Sequence, residues 1–353
     1  MDIFLYLWML CVNERFSMMF NIPKSDLLER ITMRILALEL ARISEATAIA
    51  ASEWVGRRDA KLADQAAVDI MRSGFNNLDI NGTIVIGEGE RDKAPMLFIG
   101  EKVGNPESDL VVDIAVDPLE GTSSVAYGKD EAMVVMAVAG KGDLLEAPDV
   151  YMKKIAVGPK CLGVVDINAS VQENISSVAR ALGKQTKDVV VMVLDRERHY
   201  DLIDSICATG AKVHTFTDGD VSACMATCIE DSGVDLYMGI GGAPEGVLAA
   251  AALRCMGGEF QGQLCWINPD EKERLDAAGY TDLSKVYRTR DLAGGNNIFF
   301  VSTAVTNCRG LKGVRFLGNG RVVTNTLVMR TESGTIRNIE AVHDMTRKDL
   351  KQI

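Results

Sequence analysis

Short apolar runs alternate along this chain with segments of helical periodicity, and this alternation restricts the fold more than any other feature. Residues 83–86, 110–116 and 133–139 are rich in β-branched residues and apolar on both faces, which predicts strands of a buried sheet. Residues 25–54 carry apolar side chains at every third or fourth position, and residues 63–75 repeat the pattern, as amphipathic helices do. The sequence therefore predicts a layered α/β protein.

The second half of the chain alternates in the same way. Helices are predicted near 170–182 and 199–208, after Asp218, and from Pro244 to Gly257, and strands at 189–194, 212–216 and 234–238. No repeat, low-complexity tract or charged block separates the two halves. We therefore expect two mixed-sheet α/β subdomains packed as one unit, residues 25–168 and 169–353, after a dispensable N-terminal extension of residues 1–24.

The composition is that of a folded protein, with 47% apolar and 25% charged residues. Its 353 residues suffice for about two domains of ~150 residues. Acidic residues outnumber basic ones, 49 to 38, which argues against a surface for nucleic acid or anionic lipid, because both need clustered Lys and Arg. The apolar run at 3–12 is shorter than the ~20 residues of a membrane span and follows no basic residue. We expect no nucleic-acid or membrane partner, and a location in the cytoplasm, or in the plastid stroma of a photosynthetic eukaryote.

The eight cysteines include no CxxC pair, and disulfide frameworks belong to shorter, secreted chains. We expect reduced thiols, most of them in the core. Cys224 and Cys228 lie four positions apart in a predicted helix, so a redox switch at this pair is the alternative.

Acidic residues cluster where predicted strands end. They are Glu88, Glu90 and Asp92, then Asp113, Asp117 and Glu120, and later Glu245, with Asp64 as a further candidate. Carboxylates gathered after buried strands repel one another and lose hydration, unless they share a hard cation such as Mg²⁺ or Mn²⁺. Pro118 stiffens the turn after Asp117, and Gly121 lets the backbone approach a ligand. The set predicts a metal site beside the hydroxyl of Thr122, although any one of these acids alone is more often a helix or turn cap.

Six segments, in chain order, resemble the class II fructose-1,6-bisphosphatases. They are residues 82–90, 94–97, 112–122 (with the sequence DPLEGT at its end), 147–154, 218–220 and 239–246, within a match from about Ile31 to His343. The wider lithium-sensitive phosphatase superfamily shares a DPxxGT core and includes the inositol monophosphatases. The resemblance implies a layered αβαβα sugar-phosphatase fold. It also implies hydrolysis of the 1-phosphate of fructose 1,6-bisphosphate to fructose 6-phosphate and phosphate, in gluconeogenesis or the Calvin cycle.

Residue by residue, the resemblance implies a metal and catalytic site. The positions that hold the divalent metals, Mn²⁺ or Mg²⁺, are Asp64, Glu88, Asp117, Glu120 and Glu245. Thr122 matches a threonine that helps to orient or deprotonate the attacking water, with Asp92 as a supporting acid and Glu88 as a further catalytic residue. The metals of such sites polarise the phosphate and stabilise the departing oxygen.

A bisphosphate brings a second anion, for which an acidic protein needs a local group of basic residues. Arg196, Glu197 and Arg198 follow a predicted strand, at the carboxyl end where α/β sheets bind ligands, and guanidinium groups bind phosphate through paired hydrogen bonds. The family has basic residues here, commonly with proline where this chain has Glu197. The resemblance assigns the sugar to Tyr151, Asp218, Gly219, Asp220 and Gly242, together with Glu120, Gly121 and Thr122. Relatives commonly have lysine at the position of Ala60, and Lys61 is its candidate replacement.

Three other functional classes fit the sequence less well. The strand at 234–238, the glycines after it and Glu259 resemble a dinucleotide-binding unit. Pro244 stands where a third glycine belongs, and Glu245 would repel a pyrophosphate. The GxxxxGK[ST] loop of ATP-dependent kinases does not occur in the sequence. An inactive phosphosugar sensor would need the loss of a metal ligand, and all five are present.

Two alternatives remain if the protein is a phosphatase. The sequence leaves open a dual fructose-1,6-/sedoheptulose-1,7-bisphosphatase and an inositol-monophosphatase-like enzyme, and the family resemblance suggests a homodimer or homotetramer. His199, His214 and His343 have no zinc-binding spacing and are predicted to be loop or core residues. His199, next to Arg198, is also a candidate contact of the second phosphate.

Overall fold

The computed structural model describes residues 24–87, 97–348 and 350 of the chain. Nine α-helices lie in these ranges: α1 (Lys24–Ser52), α2 (Ala60–Asn76), α3 (Thr122–Tyr127), α4 (Val171–Leu182), α5 (Tyr200–Ala208), α6 (Asp220–Ala226), α7 (Ala243–Met256), α8 (Pro269–Ala277) and α9 (Thr289–Leu292). The strands of these ranges are β1 (Asn81–Ile86), β2 (Lys102–Gly104), β3 (Val111–Glu120), β4 (Met133–Gly140), β5 (Tyr151–Val157), β6 (Val190–Leu194), β7 (Lys212–Phe216), β8 (Leu236–Gly242), β9 (Glu259–Cys265), β10 (Tyr287–Arg288), β11 (Phe299–Ala304), β12 (Arg315–Gly318), β13 (Arg321–Arg330) and β14 (Thr335–Asp344).

The strands form two mixed sheets. The first sheet contains eight strands, in the order β12-β13-β11-β4-β3-β1-β2, with β14 paired to β13. The second sheet contains six strands, in the order β10-β9-β5-β8-β6-β7. β1 runs parallel to β3 in the first sheet, and β6 runs parallel to β7 and β8 in the second. The other strand pairs of the described ranges are antiparallel.

Three hydrophobic cores hold five layers together. α1 and α2 pack on the outer face of the first sheet, where Phe75 and Phe299 share a core. α6 and α7 lie between the sheets, in a core that takes Phe300 from the first sheet and Phe260 from the second. α4 and α5 cover the outer face of the second sheet. This order of helix and sheet layers confirms the αβαβα fold that the family resemblance implied.

Two predicted strands extend further than the sequence indicates. The strand predicted at 110–116 is β3, which continues to Glu120 and shifts register against β4 between Asp117 and Glu120. The strand predicted at 234–238 is β8, which continues to Gly242. Both extensions deliver their last residues to one cleft between the sheets.

The two sheets do not follow the division expected at residue 168. β5 precedes this residue but lies in the second sheet, whereas β11 to β14 follow it and complete the first sheet. The chain therefore crosses between the sheets more than once, and the roles expected for 25–168 and 169–353 stay predictions. Of the extension predicted at 1–24, residues 1–23 lie outside the described residues.

No helix of the described ranges is long and apolar enough to cross a membrane. The seven cysteines of these ranges are free thiols. Burial raises the pKa of the Cys224 thiol well above its ordinary value and that of the Cys228 thiol to about 11. Because the thiolate is the reactive form, these values argue against a redox switch at the pair.

Candidate active site

A cleft of about 920 Å³ opens between the carboxyl end of β3 in the first sheet and the ends of β6 and β8 in the second. The predicted site residues that line it are Asp64, Asp117, Glu120, Gly121, Thr122, Tyr151, Arg196, Arg198, Asp218, Gly219, Asp220, Gly242 and Glu245. Glu197 does not line it, since its side chain is exposed at the start of the short 3₁₀ helix Glu197–His199. Glu88 and Asp92 lie outside the described residues. The fold thus brings acids and arginines from distant parts of the chain to one place.

The carboxyl end of β3 forms a tight turn. The Asp117 carboxylate accepts a hydrogen bond from the Leu119 N–H (3.0 Å), which is the Asx pattern of many turns. Gly121 follows with φ +89°, and a Cβ atom there would lie 2.9 Å from the carbonyl oxygen of Glu131. Only glycine fits this conformation and this close approach. Thr122 then begins α3 at the wall of the cleft.

Glu120 connects this turn to the helix layer between the sheets. Its side chain is buried, and its Oε1 and Oε2 accept hydrogen bonds from the N–H groups of Val221 (2.7 Å) and Ser222 (3.4 Å) in α6. Burial raises the pKa of the Glu120 carboxyl to about 8; the Val221 N–H opposes the rise, and the charges of Asp220 and Glu245 add to it. A nearby cation would favour the ionised form of such a carboxyl.

Glu245 lies in the first turn of α7, folded over Gly242. A Cβ atom on Gly242 would collide with the Glu245 carboxylate, so glycine is needed to make room for it. Oε2 of Glu245 is buried and has no hydrogen-bond partner among the described residues. Burial raises the pKa of this carboxyl, and the Lys154 ammonium opposes the rise. A buried carboxylate oxygen without a partner is costly unless another group binds it.

The residues present fit a hard divalent cation. Asp64, Asp117, Glu120 and Glu245 offer oxygen ligands to one cleft, and Mg²⁺ and Mn²⁺ prefer such ligands. Within the described ranges, no three acidic, cysteine or histidine side chains form a preassembled group for a metal ion. Glu88, the fifth predicted ligand, lies outside these ranges. The unpartnered oxygen of Glu245 and the raised pKa of Glu120 are the observations that favour a cation.

Asp220 is held by two buried side chains of the second sheet. Lys154 of β5 donates a hydrogen bond to its Oδ2 (2.6 Å), and Tyr237 of β8 donates one to its Oδ1 (2.7 Å). Burial alone would raise the pKa of the Asp220 carboxyl, but the Lys154 ammonium and the Tyr237 hydroxyl lower it. Lys154 is the only buried Lys or Arg among the residues whose side chains the structure describes. No sequence pattern assigned a role to Lys154.

The basic side of the cleft is formed by residues that follow β6. Arg198 donates hydrogen bonds from Nε and Nη2 to the carbonyl oxygen of Ile240 (3.0 and 2.9 Å). Its guanidinium carbon lies 5.0 Å from the ring centre of Tyr151, a cation–π distance. Arg196 donates from Nη1 to the carbonyl oxygen of Asp195 (2.9 Å). A guanidinium has further N–H donors for an anion in the cleft.

Glu131 contacts both glycine turns of the cleft, although no sequence pattern singled it out. A Cβ atom on Gly121 or Gly219 would lie 2.9 or 3.1 Å from its carbonyl oxygen. Its own φ is +70°, an uncommon value for a residue other than glycine. Its carboxylate accepts a hydrogen bond from the Ser222 hydroxyl (2.7 Å). Glu131 therefore joins the turn after β3 to the turn that begins α6.

Lys61, the candidate replacement for the lysine of relatives, lines the cleft. Several other residues that the sequence suggested for the site lie outside it. Asp113 accepts a hydrogen bond from the Gly142 N–H, at the opposite end of β3 from Asp117. The three histidines are also absent from the cleft wall. His199 and His343 are buried, and His214 is exposed. The candidate contact between His199 and the second phosphate is therefore not supported.

The glycines at the end of β8 make room for acids. A Cβ atom on Gly241 would collide with the Asp220 carboxylate, as one on Gly242 would with that of Glu245. A dinucleotide pyrophosphate at these glycines would face two carboxylates, which repel it. The arrangement argues against a dinucleotide-binding site.

Comparison with known proteins agrees with the geometry of the cleft. Residues 34–343 match the family described as bacterial fructose-1,6-bisphosphatase, glpX-encoded. The chain belongs to this family. A relative from Thermosynechococcus vestitus is 43% identical over 343 residues, which are 90% of this chain and 98% of the relative. A second, from Acaryochloris marina, is 44% identical over 333 residues, 88% of this chain and 95% of the relative. A third, from a Synechococcus strain, is 43% identical over 331 residues, 87% of this chain and 95% of the relative.

The three relatives are named D-fructose 1,6-bisphosphatase class 2/sedoheptulose 1,7-bisphosphatase, with a final 2 in the Acaryochloris name. The resemblance read from the sequence motifs is confirmed, and the chain is a phosphatase of the hydrolase class. Dependence on a divalent metal follows from the family, and the cleft carboxylates fit it.

Proposed function

We propose that this chain hydrolyses the 1-phosphate of fructose 1,6-bisphosphate in the cleft between its two sheets. One observation carries the assignment of the site: carboxylates and arginines, two classes of side chain with opposite charge, line the same cleft. The carboxylates suit a divalent cation beside one phosphate, and the arginines suit the second phosphate. The proposed metal ligands are Asp64, Asp117, Glu120 and Glu245, with Glu88 outside the described residues.

When bound, the divalent cation polarises the phosphate and neutralises charge on the departing sugar oxygen. The Thr122 hydroxyl, at the start of α3, orients the attacking water by a hydrogen bond. Glu88 and Asp92, both outside the described residues, assist in removing its proton. The water oxygen bonds to phosphorus, the bond to the sugar oxygen breaks, and a proton completes the sugar hydroxyl.

The opposite wall binds the rest of the substrate. Arg196 and Arg198 bind the 6-phosphate through their remaining N–H groups. Tyr151 and Asp218 face the sugar hydroxyls, while Gly121, Gly219 and Gly242 let the backbone approach the substrate. Asp220, held by Lys154 and Tyr237, fixes the turn that carries Asp218. Glu197 has no part in this scheme because its side chain is exposed.

The cation is proposed to be Mn²⁺ or Mg²⁺, because all the candidate ligands are carboxylates, which both ions accept. A homodimer or homotetramer, a location in the cytoplasm or plastid stroma, and a role in gluconeogenesis or the Calvin cycle stay predictions. They have support only from the family resemblance and the related proteins.

Sedoheptulose 1,7-bisphosphate is the second candidate substrate. The names of the three relatives include this activity. The cleft volume of about 920 Å³ lies near the upper end of the usual range for ligand sites, ~300–1,000 Å³, so it has space for one more carbon. The ratio of kcat/KM for the two bisphosphates tests this candidate.

A phosphate-release assay tests the proposed function. Fructose 1,6-bisphosphate, sedoheptulose 1,7-bisphosphate and inositol monophosphate are compared, each with EDTA, Mg²⁺ or Mn²⁺ and with lithium added. We expect metal-dependent release from the fructose ester, and a fall in kcat of more than about 100-fold in Asp117→Asn. The matched control is Asp113→Asn, because Asp113 is an acid of the same strand that lies outside the cleft. This variant should keep kcat within a factor of about three, since it leaves the surroundings of the cleft unchanged. Activity on inositol monophosphate alone, or full activity of Asp117→Asn, would contradict the proposal.

A further inference from the structure

The turn that carries the two cleft arginines is fastened to strand β8 by side chains. β6 pairs with β8 only at Val191 with Leu236 and Met192 with Tyr237. Beyond these pairs, the chain leaves β6 and enters the 3₁₀ helix Glu197–His199. On the β8 side, therefore, no backbone pairing holds the arginine turn. On the other side, β6 pairs with β7 as far as Leu194 with Phe216, and the Asp195 N–H donates to the Phe216 carbonyl oxygen (2.7 Å).

His199 supplies one of the missing contacts. It is 1% exposed, and its Nε2 accepts a hydrogen bond from the Ile240 N–H (2.7 Å) of β8. Because a backbone N–H can only donate, Nε2 carries no proton. Nδ1, which lies 2.7 Å from the Leu194 carbonyl oxygen at the end of β6, therefore carries the proton and donates it. The imidazole is neutral and links the ends of the two strands.

Arg198 binds the other backbone group of the same residue. Its Nε and Nη2 donate to the Ile240 carbonyl oxygen, so consecutive side chains take both backbone groups of Ile240. The imidazole also lies against Gly239, where a Cβ atom would make ordinary van der Waals contact with Nε2 of His199 (3.4 Å). The imidazole thus fixes the place from which Arg198 enters the cleft.

We propose that His199 is a positioning residue for the arginines that bind the second phosphate of the substrate. This inference rests on the proposed function, which places the 6-phosphate at Arg196 and Arg198. His199 does not line the cleft and acts only through the turn. It determines the affinity for the distal phosphate, and it has no part in the chemistry at the 1-phosphate.

A pair of variants separates the two hydrogen bonds of the imidazole. In His199→Asn, the side-chain amide nitrogen is two bonds from Cβ, as Nδ1 of histidine is. It can still donate a hydrogen bond to the Leu194 carbonyl oxygen, but the shorter side chain cannot reach the Ile240 N–H. In His199→Gln, the side-chain amide oxygen is three bonds from Cβ, as Nε2 of histidine is, and it can accept a hydrogen bond from the Ile240 N–H. We expect His199→Asn to raise KM for fructose 1,6-bisphosphate about tenfold, as for one misplaced charge-assisted hydrogen bond, with kcat within about twofold. His199→Gln should stay closer to the parent protein.

Two probes show whether the effect belongs to the distal phosphate. KM for fructose 1-phosphate, which lacks that phosphate, should not change in His199→Asn. Binding of fructose 6-phosphate, which keeps it, should weaken about tenfold in calorimetry, a readout that does not depend on turnover. Arg198→Met is the reference variant, because it removes the guanidinium itself.

The outcomes separate the inference from the proposed function. If Arg198→Met leaves fructose 6-phosphate binding unchanged, the arginines do not bind the distal phosphate and the proposed substrate orientation fails. If Arg198→Met weakens this binding but His199→Asn does not, the positioning role alone is overturned. Equal losses of kcat on both substrates in His199→Asn, or failure of both His199 variants to fold, would also overturn it, because the imidazole would then serve the fold as a whole.

Discussion

Replacing Lys154 by methionine tests the charge balance beneath the cleft. The change removes the ammonium from a pair in which the lysine side chain is 0% and the aspartate side chain 8% exposed, while the methionine fills most of the space. Asp220 is left buried, with the Tyr237 hydroxyl on one oxygen only. Removing one partner of a buried ion pair costs about 3–5 kcal/mol, because the remaining charge is uncompensated.

This cost corresponds to a shift in melting temperature. An unfolding entropy of about 2.1 cal/mol/K per residue gives about 0.74 kcal/mol/K for the 353 residues, so Tm of Lys154→Met should fall by about 4–7 °C. Differential scanning calorimetry of the metal-free protein at pH 7 measures it. In the double variant Lys154→Met/Asp220→Asn both charges are gone, and the asparagine still offers an oxygen to Tyr237. We expect it to recover at least about half of the loss.

The comparison of single and double variants decides between charge and packing. If the double variant melts as low as Lys154→Met, or lower, the loss comes from the altered shape of the core, and the reasoning from an unpaired buried charge is refuted. Asp220→Asn alone, which leaves the buried lysine without its carboxylate, completes the cycle and gives the coupling energy of the pair.

Two further predictions concern the loss of stability at acidic pH and the close contact between Gly241 and Asp220. Burial, aided by the Lys348 ammonium, lowers the pKa of His343 to about 4. Unfolded histidine titrates near 6.5, so the unfolded state binds more protons between these values and stability falls as the pH drops from about 6.5 to 4. A His343→Asn variant should show a flatter melting temperature over this range, and an unchanged slope would contradict the assignment. Gly241→Ala should lose about 2 kcal/mol or more of stability in denaturant unfolding, because its Cβ collides with Asp220. Gly294→Ala is the control and should lose less, because the nearest atom to its Cβ lies at 3.5 Å. Equal losses in the two variants would refute the steric argument.

The strands and the acids at their ends could be predicted because they follow from local patterns, but the distance between two acids could not. Asp113 and Asp117 belong to one predicted cluster, and the two-residue period of a strand puts both on the same face. Four residues of strand, at ~3.3 Å per residue, separate their Cα atoms by about 13 Å. One acid therefore lines the cleft and the other binds Gly142 at the far end.

The partners of buried polar groups could not be predicted from the sequence either. Lys153 and Lys154 are adjacent and chemically equal, yet the strand turns Lys153 to solvent and Lys154 into the core. The carboxylate that makes burial of Lys154 tolerable lies 66 positions away. Local periodicity carries no information about such a pair, whose position depends on how α6 packs against the second sheet.

The alanines of α7 affect the separation of the two walls of the cleft, although none of them lines it. Residues 249–252 are four consecutive alanines with no exposed surface, between the two sheets. The carboxylates of the first sheet and the arginines of the second are therefore held apart by the thickness of a helix with the smallest side chains. Larger residues at these positions would overpack the space between the sheets, so the small side chains of α7 are what permit the two sheets to approach this closely.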